Sequence, residues 1–210
     1  MKTSLLFAIV SATMLFTACS DTPDKAAAPK APEAPPEAIT GSTAFFRMFT
    51  AARGGWAPDL QGLKLTSIHM PQVKAEPGKA GAWQAVFVSP SGKKAKSYTY
   101  SVIEAEGNLH KGVFAGNDES WAGPRAPTQP FQYQALKVDS DAAYQTALKK
   151  GIRAAEYAKA HPDMTITFVL EQNKKFPDLT WRVVWGESVG TSNYSVFVDA
   201  STGAYLETMH

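Results

Sequence analysis

Two stretches of the chain carry the same signals in the same order, and that repetition limits the folds open to it more than any other feature. At one common offset Ser42 aligns with Ser140, Ile68 with Ile166 and Trp83 with Trp181. At an offset two residues shorter, Tyr98 aligns with Tyr194, Val102 with Val198 and Gly107 with Gly203. The length change then falls in the hairpin loop between these blocks, where variation costs least. An ordered set of this kind is the mark of an internal duplication.

The second copy is the better marked. Tyr144, Ala147, Leu148, Gly151, Ile152, Ala155 and Ala158 recur at helical spacing, which predicts one helix over Asp141–Ala160. Asp139 or Ser140 supplies its cap and Pro162 stops it. Strand patterns follow at Met164–Leu170, Thr180–Trp185, Tyr194–Asp199 and Ala204–Glu207, with Asp199 to Gly203 forming the last turn. In the first copy a shorter apolar stripe (Phe45, Met48, Phe49, Ala52) begins at Ser42 and ends at Gly54-Gly55. Strand patterns follow at Leu63–Met70, Ala82–Val88 and Ser97–Ile103. Each copy is therefore a helix followed by an antiparallel meander. The predicted fold class is α+β, with two tandem units over 42–115 and 139–210. Between them, 116–138 reads as a Pro-rich connector with Pro124, Pro127 and Pro130, and Phe131–Val138 is a candidate extra strand.

The N-terminal part has a different character. Met1-Lys2 precedes an apolar run from Leu5 to Phe16; as a helix it spans about 18 Å, well short of the roughly 30 Å hydrocarbon core. That length suits a signal peptide, placed at 1–18. Cys19 is the only cysteine in the chain, so no intrachain disulfide exists. Residues 19–41 read as a tether: half of positions 20–41 are Ala or Pro, without hydrophobic periodicity. The run Leu15-Phe16-Thr17-Ala18-Cys19-Ser20 resembles a bacterial lipoprotein signal. That resemblance implies cleavage behind Ala18 and a membrane anchor through lipid on Cys19. Ser20 after the cysteine implies the outer membrane; the folded part is expected to face the periplasm, with the cell exterior as the alternative.

The second copy also resembles the PepSY domain family. The likeness rests on Trp181-Arg182-Val183-Val184-Trp185, the hairpin after it, and the closing stretch from Tyr194 through Asp199 and Thr202-Gly203 to Leu206. It covers 139–207. In the first copy Ile103 stands where Asp199 stands and Glu106-Gly107 replaces Thr202-Gly203, so its membership rests on the internal repeat. The family implies an extracytoplasmic binding or regulatory module without catalytic residues. Its members include propeptide segments of thermolysin-type metallopeptidases, and peptidase inhibition has been proposed for it.

With Lys and Arg totalling 21 against 19 Asp and Glu, the net charge of +2 does not point to nucleic acid. His69, His110, His161 and His210 show no metal-ligand spacing, so neither metal nor other cofactor is expected. Gly186-Glu187-Ser188-Val189-Gly190 matches the nucleophile-elbow pattern, and Asp199 and His210 follow in order. The motif needs a strand-turn-helix setting, whereas here a strand follows. Lys93, Lys94 and Lys96, in a hairpin loop beside Tyr98 and Tyr100, are candidates for partner binding, as is Trp121 in its Gly/Pro-rich loop. Trp83, Trp181 and Trp185 are expected in the core.

Three functions stay open on the sequence. The first is a non-enzymatic, lipid-anchored module that binds a protein partner, such as a peptidase it restrains, by strand addition at a sheet edge. The second is a structural accessory subunit of a cell-envelope assembly. The third is a small serine hydrolase using Ser188.

Overall fold

A computed structural model describes residues 35–107, 109–124 and 128–210. The signal peptide, Cys19 and most of the tether lie outside the described residues.

The chain opens with a short strand β1 (Ile39–Thr40) and helix α1 (Gly41–Gly55). Strands β2 (Gln61–Ile68), β3 (Lys79–Ala80), β4 (Ala82–Ser89), β5 (Lys94–Ser101) and β6 (Gly112–Ser120) follow. A two-residue strand β7 (Thr128–Gln129) and a 3-10 turn (Tyr133–Ala135) lead to α2 (Ser140–Lys150) and α3 (Ala154–Ala160). The chain ends in β8 (Ile166–Asn173), β9 (Thr180–Trp185), β10 (Tyr194–Asp199) and β11 (Tyr205–Met209). The fold is α+β.

Among the described residues the large antiparallel sheet runs β11-β10-β9-β8-β2-β4-β5-β6, with β7 pairing beside β8. Each half contributes a helical segment and four strands, and the halves join where β2 pairs with β8 at Lys64↔Glu171, Leu65↔Leu170 and Thr66↔Val169. One apolar cluster runs through both halves. Phe45, Met48 and Phe49 of α1 and Ala143 and Ala147 of α2 pack on the same sheet face as Leu65, Trp83, Phe168, Trp181 and Val196. The helices alternate apolar positions at three and four residues, so each presents one stripe to that face.

The two N-terminal helix ends meet at the centre of this arrangement. Asp139 caps its own helix through Ser140 N (2.7 Å), and the same oxygen accepts from Ser42 N (2.9 Å). Ser140 Oγ accepts from Gly41 N (2.8 Å) and donates to the Gly78 carbonyl (2.5 Å). Thr40, the residue before α1, gives no side-chain cap, so α1 takes its capping groups from the other half. Trp83 Nε1 donates to the Ile39 carbonyl (3.0 Å) and Trp181 Nε1 to the Val138 carbonyl (2.8 Å). Both buried indoles thus tie a central strand to the residue pair before a helix. Gly41 sits against both rings: a Cβ there would lie 2.6 Å from Trp181 Cη2 and 3.0 Å from Trp83 Cη2.

Five sequence expectations are corrected. The helix expected over Asp141–Ala160 breaks after Lys150; Gly151 is extended (φ −62°, ψ 140°) and Arg153 is left-handed (φ 56°). The Tyr194 hydroxyl donates to the Ile152 carbonyl, and Ile152 N donates to Thr208 Oγ1 (3.0 Å). These side chains take up the backbone groups that the break releases. Ile152 is consequently 55% exposed, and the core position goes to Ala154.

Gly112–Ser120, assigned in part to the connector, is strand β6. Phe131–Val138 is not a strand: Phe131 makes an isolated bridge to Gly62 and the 3-10 turn follows. The folded part also begins earlier than residue 42. Ala38 is buried, and Ile39 and Thr40 pair with Ala80 and Lys79.

The internal alignment shifts as well. Tyr98 lies opposite Ala85 and Val196 opposite Val183, so Val196, not Tyr194, matches Tyr98 in the ladder. On the first strands Leu65 lies opposite Ala85 and Phe168 opposite Val183. Ile68 and Ile166 therefore do not correspond. Two length differences of about five residues offset each other: the second half is longer between helix and first strand, where it carries the α2–α3 break, the first half is longer between its first and second strands, where it carries β3, and the hairpins match.

Candidate functional site

The sheet ends at β6, whose outer side is open among the described residues. β5 alternates strictly: Tyr98 and Tyr100 turn to the helix face, where they are buried, and Ser97 and Thr99 to the other. Arg47 Nη1 donates to the Tyr100 hydroxyl and its guanidinium lies 4.9 Å from that ring centroid. This pins the strand to α1. β6 follows β5 through Tyr100↔Val113, Thr99↔Phe114 and Tyr98↔Ala115, then shifts register before Lys96↔Asp118 and Lys94↔Ser120. Among the described residues no strand pairs with its outer side. Val113 and Phe114 are 37% and 44% exposed.

Three of the four residues singled out for partner binding lie on or against this ladder's far end, and the fourth joins them. Lys93 is in the β4–β5 turn with φ 49°, and Trp121 N donates to its carbonyl (2.9 Å). Lys94 and Lys96 are strand residues of β5 rather than loop residues. Lys94 Nζ is 3.1 Å from Asp118 Oδ2, and Lys96 Nζ is 2.6 Å from Asp118 Oδ1 and 5.6 Å from the Trp56 ring centroid. Hydrogen bonds from Lys96 first and Lys94 second hold the Asp118 carboxyl down at about 2. Two of the three lysines therefore meet a carboxylate of the same chain, and the strand expected to be a linker supplies it.

The helix-free face beside β6 holds a cavity of about 370 Å³. Its apolar wall is Ile68, Leu109 and Phe114; Ser97, Thr99 and Gln84 contribute polar atoms, and Glu106 is the charged lining residue among those described. Thr99 Oγ1 is buried without a hydrogen-bond partner, one of two such side-chain atoms among the described residues; Trp185 Nε1 is the other. A buried hydroxyl left unpaired costs on the order of 1–3 kcal/mol. Sequence reading passed over this face, although the alternation Ser97-Tyr98-Thr99-Tyr100 marks a polar side opposite a core side.

Ser188 lies exposed in the β9–β10 loop, its hydroxyl 2.9 Å from Thr191 Oγ1. Asp199 closes the far end of β10, about 17 Å of strand from Tyr194, and its Oδ1 accepts from Ser201 N (2.7 Å) and Thr202 N (2.8 Å). The His210 ring stacks on Tyr194, 6.3 Å between centroids. The strand thus separates Asp199 from the end where Ser188 and His210 sit. His110 Nδ1 meets Glu104 Oε1 at 2.7 Å. Among the described residues no helix is long and apolar enough to cross a membrane.

Taken together, fold and site define an α+β protein with helices on one face of a large antiparallel sheet and an open edge at β6. No protein-family model matches the chain, and no curated protein or solved structure matches it significantly.

Proposed function

We propose that the chain is a non-enzymatic binding module of the cell envelope, anchored by lipid on Cys19 to the outer membrane and facing the periplasm. In this reading it is built from two PepSY-like units and engages a protein partner by strand addition along β6. The resemblance to the PepSY family makes an exported peptidase the partner class to test first, with the module restraining it. The observation that carries the reading is the nine-residue strand β6, exposed along most of its length and unpaired on its outer side among the described residues. Such an edge offers a row of main-chain donors and acceptors to an extended segment.

A second edge, β11 at the opposite end of the sheet, favours the alternative of an accessory subunit that bridges two neighbours. Photo-crosslinking in cells separates the two. A benzophenone amino acid at Val113 captures an exported peptidase, and the purified chain inhibits that peptidase in proportion to dose. Capture of envelope-assembly components from both Val113 and Leu206, with no inhibition, overturns the first reading in favour of the second.

A further inference from the structure

The cavity beside β6 carries an inference about what an added strand must contain, and this inference rests on the strand-addition reading above. Phe114 and Gly116 occupy the cavity side of β6, and Gly116 leaves it open: a Cβ there would come within 3.2 Å of the Ser97 carbonyl. A strand added outside β6 lies about 4.8 Å from it and roughly 9.6 Å from β5. A side chain opposite Gly116 therefore passes over a position without a side chain and arrives above Ser97 and Thr99.

The chemistry of the cavity selects that side chain. Its wall is apolar at Ile68, Leu109 and Phe114, which suits a methylene stem. Its floor offers a hydroxyl at Ser97 and a carboxamide at Gln84, with Thr99 beside them. Glu106 supplies the negative charge, and Phe114 is a partly exposed aromatic residue beside it. The His110 imidazole packs against Phe114, tilted at 49° with centroids 4.6 Å apart, and is engaged by Glu104. An acidic side chain would face Glu106, and an aliphatic one would bring no donor to Glu106, Ser97 or Gln84.

We propose that the cavity bounded by Phe114, Thr99 and Glu106 is the recognition pocket for a lysine or arginine of an extended partner segment paired along β6. The stem lies on Phe114 and Leu109, and the head bonds Glu106 and the Ser97 hydroxyl.

The test uses the full chain, 15N-labelled, titrated with the blocked peptide Thr-Val-Thr-Arg-Thr-Val-Thr and with its norleucine analogue at the central position. The arginine peptide is expected to shift the β6 and Thr99 amides and to bind about tenfold more tightly than the norleucine peptide, as for a charge-assisted hydrogen bond. Glu106→Gln, an exposed turn position, is expected to abolish that difference. Equal binding of both peptides at β6 overturns the basic anchor while strand addition stands. An arginine preference that survives Glu106→Gln overturns the assignment to this cavity. If neither peptide shifts β6 amides, the pocket and the strand-addition reading fail together.

Discussion

The carboxylate of Asp139 accepts a hydrogen bond from the amide of Ser42, 2.9 Å away and 97 residues earlier in the chain. The same oxygen caps α2 through Ser140 N, so one side chain serves the starts of two helices. Asp139→Ala removes both bonds, and we expect a loss of about 1–3 kcal/mol of unfolding free energy, from two caps at a part-buried site. Denaturant titration measures it. A loss confined to a few tenths of a kcal/mol would mean that water replaces the shared cap.

Gly41 packs where Trp181 and Trp83 meet, their ring centroids 6.3 Å apart. Gly41→Ala places a methyl group against both indoles in a close-packed core. The expected cost is about 1–3 kcal/mol, read by thermal unfolding, with a shift in tryptophan emission as the rings move apart.

The acid behaviour of β6 follows from Asp118. Its folded-state pKa, about 2, lies below the ordinary 3.8. The stabilisation is therefore fully present above about pH 4 and is lost as pH falls from there through about 2. Amide exchange should show β6 loosening in that window before β10 does. Asp118→Asn should remove the pH dependence and leave β6 equally loose at neutral pH. An unchanged profile in that variant would refute the assignment.

Arg153 holds φ 56° between α2 and α3, and its side chain is largely exposed in an i,i+3 pair with Glu156. Left-handed backbone costs a non-glycine residue about 1–2 kcal/mol, partly offset by the greater freedom glycine loses on folding. Arg153→Gly is expected to stabilise the protein by up to about 1 kcal/mol. A destabilised variant would show that the side chain matters more than the backbone.

Legibility in the sequence followed local pattern. The stripe Phe45, Met48, Phe49 and Ala52 and the alternation at Trp181, Val183 and Trp185 marked α1 and β9, because burial of one face imposes those periods. β6 was not legible: Gly112, Gly116, Asn117, Asp118 and Ser120 are poor strand formers, and their pairing depends on Lys94 and Lys96 in the neighbouring strand. The break at Gly151–Arg153 escaped for a related reason. The hydroxyls of Tyr194 and Thr208 that support it arrive from more than forty residues away. The four partner-binding candidates are adjacent in space, but the carboxylate between two of the lysines could not be read from spacing. The unpartnered Thr99 hydroxyl beneath Phe114 is visible only once β2, β4, β5 and β6 stand side by side.

The borrowed cap on α1 makes the leading half incomplete by itself. Without Asp139 and Ser140 the start of α1 lacks its acceptors, and without β8 the strand β2 has an open side. The leading half in isolation therefore carries an exposed strand edge and an uncapped helix, features that favour aggregation. Closure comes only with the trailing half, and it comes at the helix start and the central strand pair together.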